Sequence, residues 1–333
     1  VSALARTDAA GTILWSKQMQ YDNINIAPAP DGNIYCTAYE NKFSILSLDG
    51  TDGSLRWTKQ LPFNGPIYFA PYALKTASNG DGLLFAQKIQ SLVRKNVMLR
   101  IDPLGNLRWS REYHNFPGDE KSGSNATLLT AHADGGFTFS NKYQPQNLIN
   151  PDTVCLIRCD AGGIPLWANT YVVRPQATRR FIGWIKATSD EGILFLLYEQ
   201  SGTTQYYTLI RTDSQGNPRW ATDISNIGLP SLTGGCTLGP EEDLILGLQS
   251  KLTAILRFDS VGIAGACLKA PIVVTRQPVP VTSTLFTPSW TTSIYALRDY
   301  PLTAEPITLL RSDFCSTLPP CPEICDNGFD DDE

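Results

Sequence analysis

Between residues 182 and 224 short apolar stretches alternate with turn residues, and no helical period develops. IGWIKATS (182–189) leads into Asp190-Glu191-Gly192, and ILFLLYE (193–199) follows. QYYTLIRT (205–212), the turn DSQG (213–216) and NPRWATDI (217–224) complete the unit. Runs this short, rich in β-branched and aromatic residues and bounded by Gly, Asp, Asn and Ser, predict four strands. The same order returns in YALKTASNGDG, LLFAQKI, NVMLRI, DPLG, NLRWSREY (72–113, in part). It returns again in TLLTAHADGG, FTFSNKY, TVCLIRC, DAGG, IPLWANTY (127–171, in part).

The hinge of each unit is, with variations, a phrase in which Leu and Arg precede Asp-x-x-Gly and Trp follows; the unit at Asp49 lacks the Arg, and those at Asp259 and Asp313 lack the Trp. Its Asp falls at Asp8, Asp49, Asp102, Asp160, Asp213, Asp259 and Asp313, a mean step of about 51 residues. Four strands per period of that length predict an all-β fold, a β-propeller of four-stranded blades. Asp at the first turn position can accept from backbone two residues on, and Gly at the fourth accepts a positive φ. Pro103, at the second position, suits a type I turn. The Trp four residues past the Gly (Trp15, Trp57, Trp109, Trp167, Trp220) falls on the outer strand, where its area can seal one blade against the next. The Arg two before the Asp (Arg6, Arg100, Arg158, Arg211, Arg257, Arg311) shares a strand face with it, which predicts an Arg–Asp clamp between neighbouring blades. The phrase is read as architecture rather than chemistry.

This phrase resembles the blade repeats of pyrroloquinoline-quinone-type propellers. It resembles still more the repeats of secreted surface proteins in bacteria that use the type IX secretion route. The resemblance covers about residues 1–318 and implies a fold and a secreted, extracellular cell-surface location more than an activity.

Complete repeats span about residues 22–270, with partial blades at both ends. The N-terminus supplies a third and a fourth strand. Residues from about 280 to 313 supply a first, second and third. Seven third strands favour seven blades; six result if Thr12–Gln18 completes the last one. Residues 319–333 form a separate Cys/Asp-rich tail.

Charge locates what is unusual about that tail. The formal net charge is −5, and CPEICDNGFDDDE (321–333) holds six acids and no base. Without those six the chain carries 27 Lys and Arg against 26 Asp and Glu, which argues against a nucleic-acid binder. No apolar run approaches the roughly 18 residues of a membrane helix. The chain begins VSALARTD, so any secretion signal is expected to be removed or to lie outside it. Three of the eight cysteines crowd the last nineteen residues, where disulfides would staple a tail with little core, as expected in an oxidising compartment. Cys155 and Cys159 lie about 13 Å apart on one predicted strand, too far to bridge.

The tail resembles the start of the acidic CDNGxDDDxDG motif found beside repeat domains of secreted bacterial proteins. The resemblance implies calcium, a cation that takes six to eight oxygens, with Asp326, Asn327, Asp330 and Asp332 as ligands. A flexible acidic linker is the alternative.

Tight turns join strands one to two and three to four. The remaining connections (111–127, 142–152, 171–181 and 269–283) are long and by propeller geometry share one face, where binding is expected. Tyr113, Phe116, Tyr143, Arg174, Arg179 and Arg180 are the residues there suited to grip a protein or glycan. His114 and His132 fall in different repeats, neither near a nucleophile motif. No adjacent-cysteine pair of the quinone enzymes occurs. The reading is a non-catalytic module of a larger surface protein or outer-surface complex. The alternatives are a carbohydrate-active or quinone-type enzyme and a structural subunit of an extracellular assembly.

Overall fold

A computed structural model of the chain describes residues 2–19, 25–39, 43–61, 67–90, 93–114, 128–143, 152–225, 236–238, 244–249, 253–258, 273–285, 291–292 and 298–299. The regular elements there are strands, which form six antiparallel sheets. Blade A is the hairpin of β1 (Ser2–Thr7) and β2 (Ile13–Met19). Blade B holds β3 (Ile26–Pro28), β4 (Ile34–Tyr39), β5 (Phe43–Leu48) and β6 (Leu55–Leu61). Blade C holds β7 (Ile67–Thr76), β8 (Gly82–Gln90), β9 (Val93–Ile101) and β10 (Leu107–His114). Blade D holds β11 (Leu129–Ala131), β12 (Phe137–Tyr143), β13 (Thr153–Cys159) and β14 (Pro165–Val172). Blade E holds β15 (Arg179–Ala187), β16 (Ile193–Ser201), β17 (Thr204–Thr212) and β18 (Pro218–Asp223). Blade F shows β19 (Cys236–Leu238), β20 (Leu244–Gln249) and β21 (Thr253–Phe258).

The blades stack face to face, and first strands of successive blades touch: β3 with β7, β7 with β11, β11 with β15, β15 with β19. The middle strands therefore bury both faces. On β8, Leu83 and Phe85 join Phe137 and Phe139 of blade D. The alternate residues Leu84 and Ala86 join Tyr35, Phe43 and Ile45 of blade B. This explains why middle strands read as continuous apolar runs rather than alternating ones. Four antiparallel strands in each of blades B to E, inner strands together and faces stacked, make the β-propeller expected from the period.

The Trp seal is present and has a specific form. Trp15, Trp57, Trp109 and Trp167 donate Nε1–H to the carbonyls of Gly50, Pro103, Ala161 and Ser214, at 2.9, 2.9, 3.1 and 2.8 Å. Each acceptor directly follows the turn Asp of the next blade. A register shift between the third and fourth strands aims the indole. Arg158 pairs with Trp167 and Cys159 with Pro165, so Leu166 is extra. The same bulge recurs in blades A, B, C and E, turning the side chain of the fourth strand outward. The turn Gly must then be small. A Cβ on Gly163 (φ +78°) would lie 2.8 Å from the Trp109 ring.

The expected Arg–Asp clamp is corrected. Asp102 is consumed by its own turn, its Oδ1 accepting from the amides of Leu104 and Asn106 at 2.9 and 2.8 Å. Arg100 instead pairs with Asp81, in the first turn of its own blade, at 2.7 Å. It reaches the next blade through the carbonyls of Gly135 and Ala161, at 2.9 and 2.8 Å. Arg158 likewise pairs with Asp134 at 2.7 Å, and Arg211 with Asp190 at 3.4 Å. The turn amides outcompete a guanidinium for the phrase carboxylate because they are held beside it by the chain.

The C-terminal segment also departs from expectation. Where residues from about 280 onward were expected to begin a further blade, the described pieces lie along outer edges already built. β22 (Thr275–Pro278) pairs with β14, β23 (Thr282–Leu285) with β10, β24 (Thr291–Thr292) with β6 and β25 (Arg298–Asp299) with β2. The segment thus runs backward around the rim, from blade D to C to B to A. Its seat is shallow, for residues 273–285 alternate between half-buried and exposed. Val274, Val279 and Val281 turn inward onto the cores of blades C, D and E. Pro278 and Pro280, which lack an N–H, sit where an edge strand tolerates them. Covering an edge with one's own chain removes a template for aggregation.

Candidate functional site

Among the described residues, the histidines, cysteines and most charged side chains in the turns hold blades together. His132 is buried, with Nε2 2.8 Å from Thr138 Oγ1 and Nδ1 3.2 Å from Glu191 Oε2. Burial and the nearby Arg158 guanidinium push its pKa down to about 3. Glu191 holds a left-handed backbone (φ 61°) where blades B, C and D have Gly. Its carboxylate reaches across to blade D, taking the Asp134 amide at 3.2 Å and Arg158 at 3.1 Å. His114 contacts Thr284 Oγ1 at 3.0 Å, under the rim strand. Cys36, Cys155 and Cys159 are unbridged and buried, and burial raises all three thiols. Among the described residues no group of three or more His, Cys, Asp and Glu is placed to hold a metal.

The residues expected to grip a partner separate into distinct situations. Tyr113 is fully buried, its hydroxyl donating to Gly163 O at 2.9 Å, so it serves the blade C–D junction. Tyr143 ends β12 and pairs in register with Thr153. Phe116 and the tail set Asp326, Asn327, Asp330 and Asp332 lie outside the described residues. Arg174 and Arg180 both converge on Glu199, whose side chain has no exposed surface.

That convergence fixes the connection from β14 to β15. A carboxylate with no exposed surface is costly unless fully paired. Glu199 Oε1 accepts from Arg180 Nε at 3.0 Å and from the amides of Val173 and Arg174 at 3.3 and 3.1 Å. Its Oε2 faces Arg174 Nη1 at 3.4 Å. Arg180 Nη2 donates to the carbonyls of Arg174 and Pro175 at 2.7 and 3.2 Å. Arg174 also pairs with Asp223 and covers the Tyr206 ring, 4.1 Å from its centroid. A loop tied at both amides and carbonyls to a buried charge is preorganised.

Beside it, six side chains form a grid on one face of blade E. Residues i and i+2 of a strand share a face, and register aligns three strands. Arg179 pairs with Gln200 and Gln200 with Gln205; one step inward, Phe181 pairs with Tyr198 and Tyr198 with Tyr207. Phe181 stacks on Tyr198 (centroids 4.2 Å, 25°), and Tyr198 meets Tyr207 edge-on at 5.3 Å. The Phe181 side is open, at 36% exposure, while both tyrosines are buried to 6%. Burial raises both phenols, so they hold their protons. Tyr198 donates to Gln200 Oε1 and Tyr207 to Gln205 Oε1, each at 3.0 Å. Gln200 Nε2 donates to Gly202 O at 2.9 Å. The Arg179 guanidinium acts electrostatically on Tyr198, but it and the Gln205 amide nitrogen, both exposed, have no hydrogen-bond partner among the described residues. Of the grid only Arg179 was anticipated. The rest sits in strands read as structural, and the register that aligns QYY with LLYEQ was the missing signal.

No family model and no curated protein sequence matches the chain. Solved structures do resemble it. The Dos1 propeller aligns with TM-score 0.46 and 12% identity, over 83% of this chain and 64% of its own. A europium-containing methanol dehydrogenase aligns at 0.39 and 11%, over 80% and 60%. A GH43 endo-arabinanase from Bacillus licheniformis aligns at 0.36 and 14%, over 78% and 96%. The chain thus spans less than two thirds of the first two structures it resembles. These likenesses are distant, and the assignment as a propeller stands on the sheet order itself.

Proposed function

We propose that this chain is a non-catalytic, secreted or cell-surface propeller module that binds a protein or glycan partner within a larger surface protein or outer-surface complex. The observation that carries the reading is the end of blade E. There the buried Glu199 cluster fixes the 173–178 loop beside three exposed side chains, Phe181, Arg179 and Gln205, and among the described residues the Arg179 guanidinium and the Gln205 amide nitrogen have no hydrogen-bond partner. Rigid scaffolding under unspent aromatic and donor groups favours recognition. The resemblance of the repeats to type IX–secreted surface proteins supports the location. The resemblance of the tail supports calcium at Asp326, Asn327, Asp330 and Asp332, with further domains beyond.

The test is the native mass of the protein from its source, followed by footprinting of any retained partner. A mass well above the 36.6 kDa of this chain, with protection confined to residues 174–207, is expected. A lone species of about that mass, with no molecule that protects this region, overturns the reading.

A further inference from the structure

We infer that the blade E grid binds a carboxylated sugar, a uronic or sialic acid unit of a glycan. The inference rests on the binding-module reading and names its ligand class.

Hydrogen-bond accounting across the grid selects the class. The acceptors are largely spent, since Gln200 Oε1 and Gln205 Oε1 already take the two tyrosine hydroxyls. The donors that remain are the Arg179 guanidinium and the Gln205 amide nitrogen, both exposed and without a hydrogen-bond partner among the described residues. Such a surface prefers a ligand rich in acceptors, and an unpaired guanidinium prefers a planar anion that it can engage with two N–H groups. The nearest carboxylates on the blade are already committed. Glu199 is buried under two arginines and Asp223 is paired with Arg174, so among the described residues of this part of blade E both acids are already neutralised by arginine.

Geometry selects the sugar. Arg179 and Phe181 are two residues apart on β15 and share a face, about 7 Å along the strand. That is the span between the carboxylate of an acidic pyranose and the far edge of its ring. A carboxylate on Arg179 places the C–H face of the ring over Phe181, whose other face is occupied by Tyr198 at 4.2 Å. Ring hydroxyls then face the Gln205 amide on the third strand. A flat apolar face, an anion and several acceptors are thus met at once by three strands in fixed register.

The test uses the full chain against immobilised glucuronate- and sialate-terminated oligosaccharides, neutral oligosaccharides of the same length, and aspartate-rich peptides. Carboxylated sugars are expected to bind and neutral ones to bind far more weakly. Arg179→Gln should weaken binding about 10- to 100-fold, the value of a charge-assisted pair, and Phe181→Ala about tenfold. Both side chains are on the surface, and unchanged unfolding transitions in the two variants exclude a folding defect. Equal binding of neutral sugars, preference for the acidic peptides, or indifference to Arg179→Gln overturns the acidic-sugar assignment and leaves the module reading intact. If no probe binds and no source partner protects residues 174–207, both fall.

Discussion

Adding one methyl group to Gly163 separates the two demands that the repeated turn places on its glycine. Gly163 has φ +78°, and a Cβ there would lie 2.7 Å from Arg111 Cδ and 2.8 Å from the Trp109 ring. Gly11 holds the same position in blade A with φ +84°, and a Cβ there meets nothing within 4 Å. Alanine in the left-handed region costs about 1–2 kcal/mol at either site. The arginine stem can swing away, but the indole cannot without losing its bond to Ala161 O at 3.1 Å. Overpacking adds about 1–3 kcal/mol, so Gly163→Ala should cost about 2–5 kcal/mol and Gly11→Ala about 1–2. Urea unfolding followed by tryptophan fluorescence, with unchanged m-values, measures both. In a Trp109→Ala background the cost of Gly163→Ala should fall to that of Gly11→Ala, since the obstacle is gone. Equal destabilisation by the two alanines in the parent chain would refute the claim that the indole seals successive blades through the glycine.

Two further outcomes follow from the same structure. His132 is held neutral with a folded pKa of about 3, against about 6.5 unfolded. The unfolded chain therefore binds the extra proton first, and stability falls as pH drops from about 6.5 toward 3, by up to about 1.4 kcal/mol per pH unit. Urea midpoints at pH 7 and pH 5 should differ more in the parent than in His132→Gln; equal differences would contradict the burial described. On the rim, Val279→Asp with Val281→Asp places two carboxylates against the blade C–D core and should release the strap. Amide exchange over 275–285 should then rise about tenfold or more while β15–β17 stay protected. Unaltered exchange over 275–285 would mean that the valines do not anchor it.

The fold was legible because its signals are local and repeated. Asp-x-x-Gly encodes a turn through side-chain and backbone chemistry within four residues, and the Trp that follows encodes a blade junction by its position. What the sequence could not display were relations that depend on register. The bulge that ejects Leu166 and aims Trp167 has no residue signature of its own, since Leu14, Arg56, Arg108 and Arg219 occupy the same place. Same-face spacing allows Asp102 as the partner of Arg100, whereas competition from the turn amides removes it. The placement of the described pieces β22 to β25 was hidden for another reason. An edge strand held by backbone bonds and three valines looks, as sequence, like the first strand of a blade.

The same distinction explains why the proposed recognition surface lies on strands rather than in long loops. Loop composition drew attention to arginines, yet Arg174 and Arg180 are consumed in balancing Glu199. Arg179, which opens β15 in register with Gln200, lies in sequence between these two consumed arginines. Alternation along the strand does the sorting. Arg180 faces the blade D side, where Ile182 joins the D–E core, and Arg179 and Phe181 take the opposite face. The hairpin Ser201–Thr204 closes with a two-residue turn, so β16 and β17 extend in register to their tips and carry the glutamines and tyrosines with them. A site built this way inherits the fixed spacing of a sheet and loses little entropy on binding. Substitutions that loosen Glu199 would therefore act on recognition at a distance, through the loop it ties, without touching a ligand.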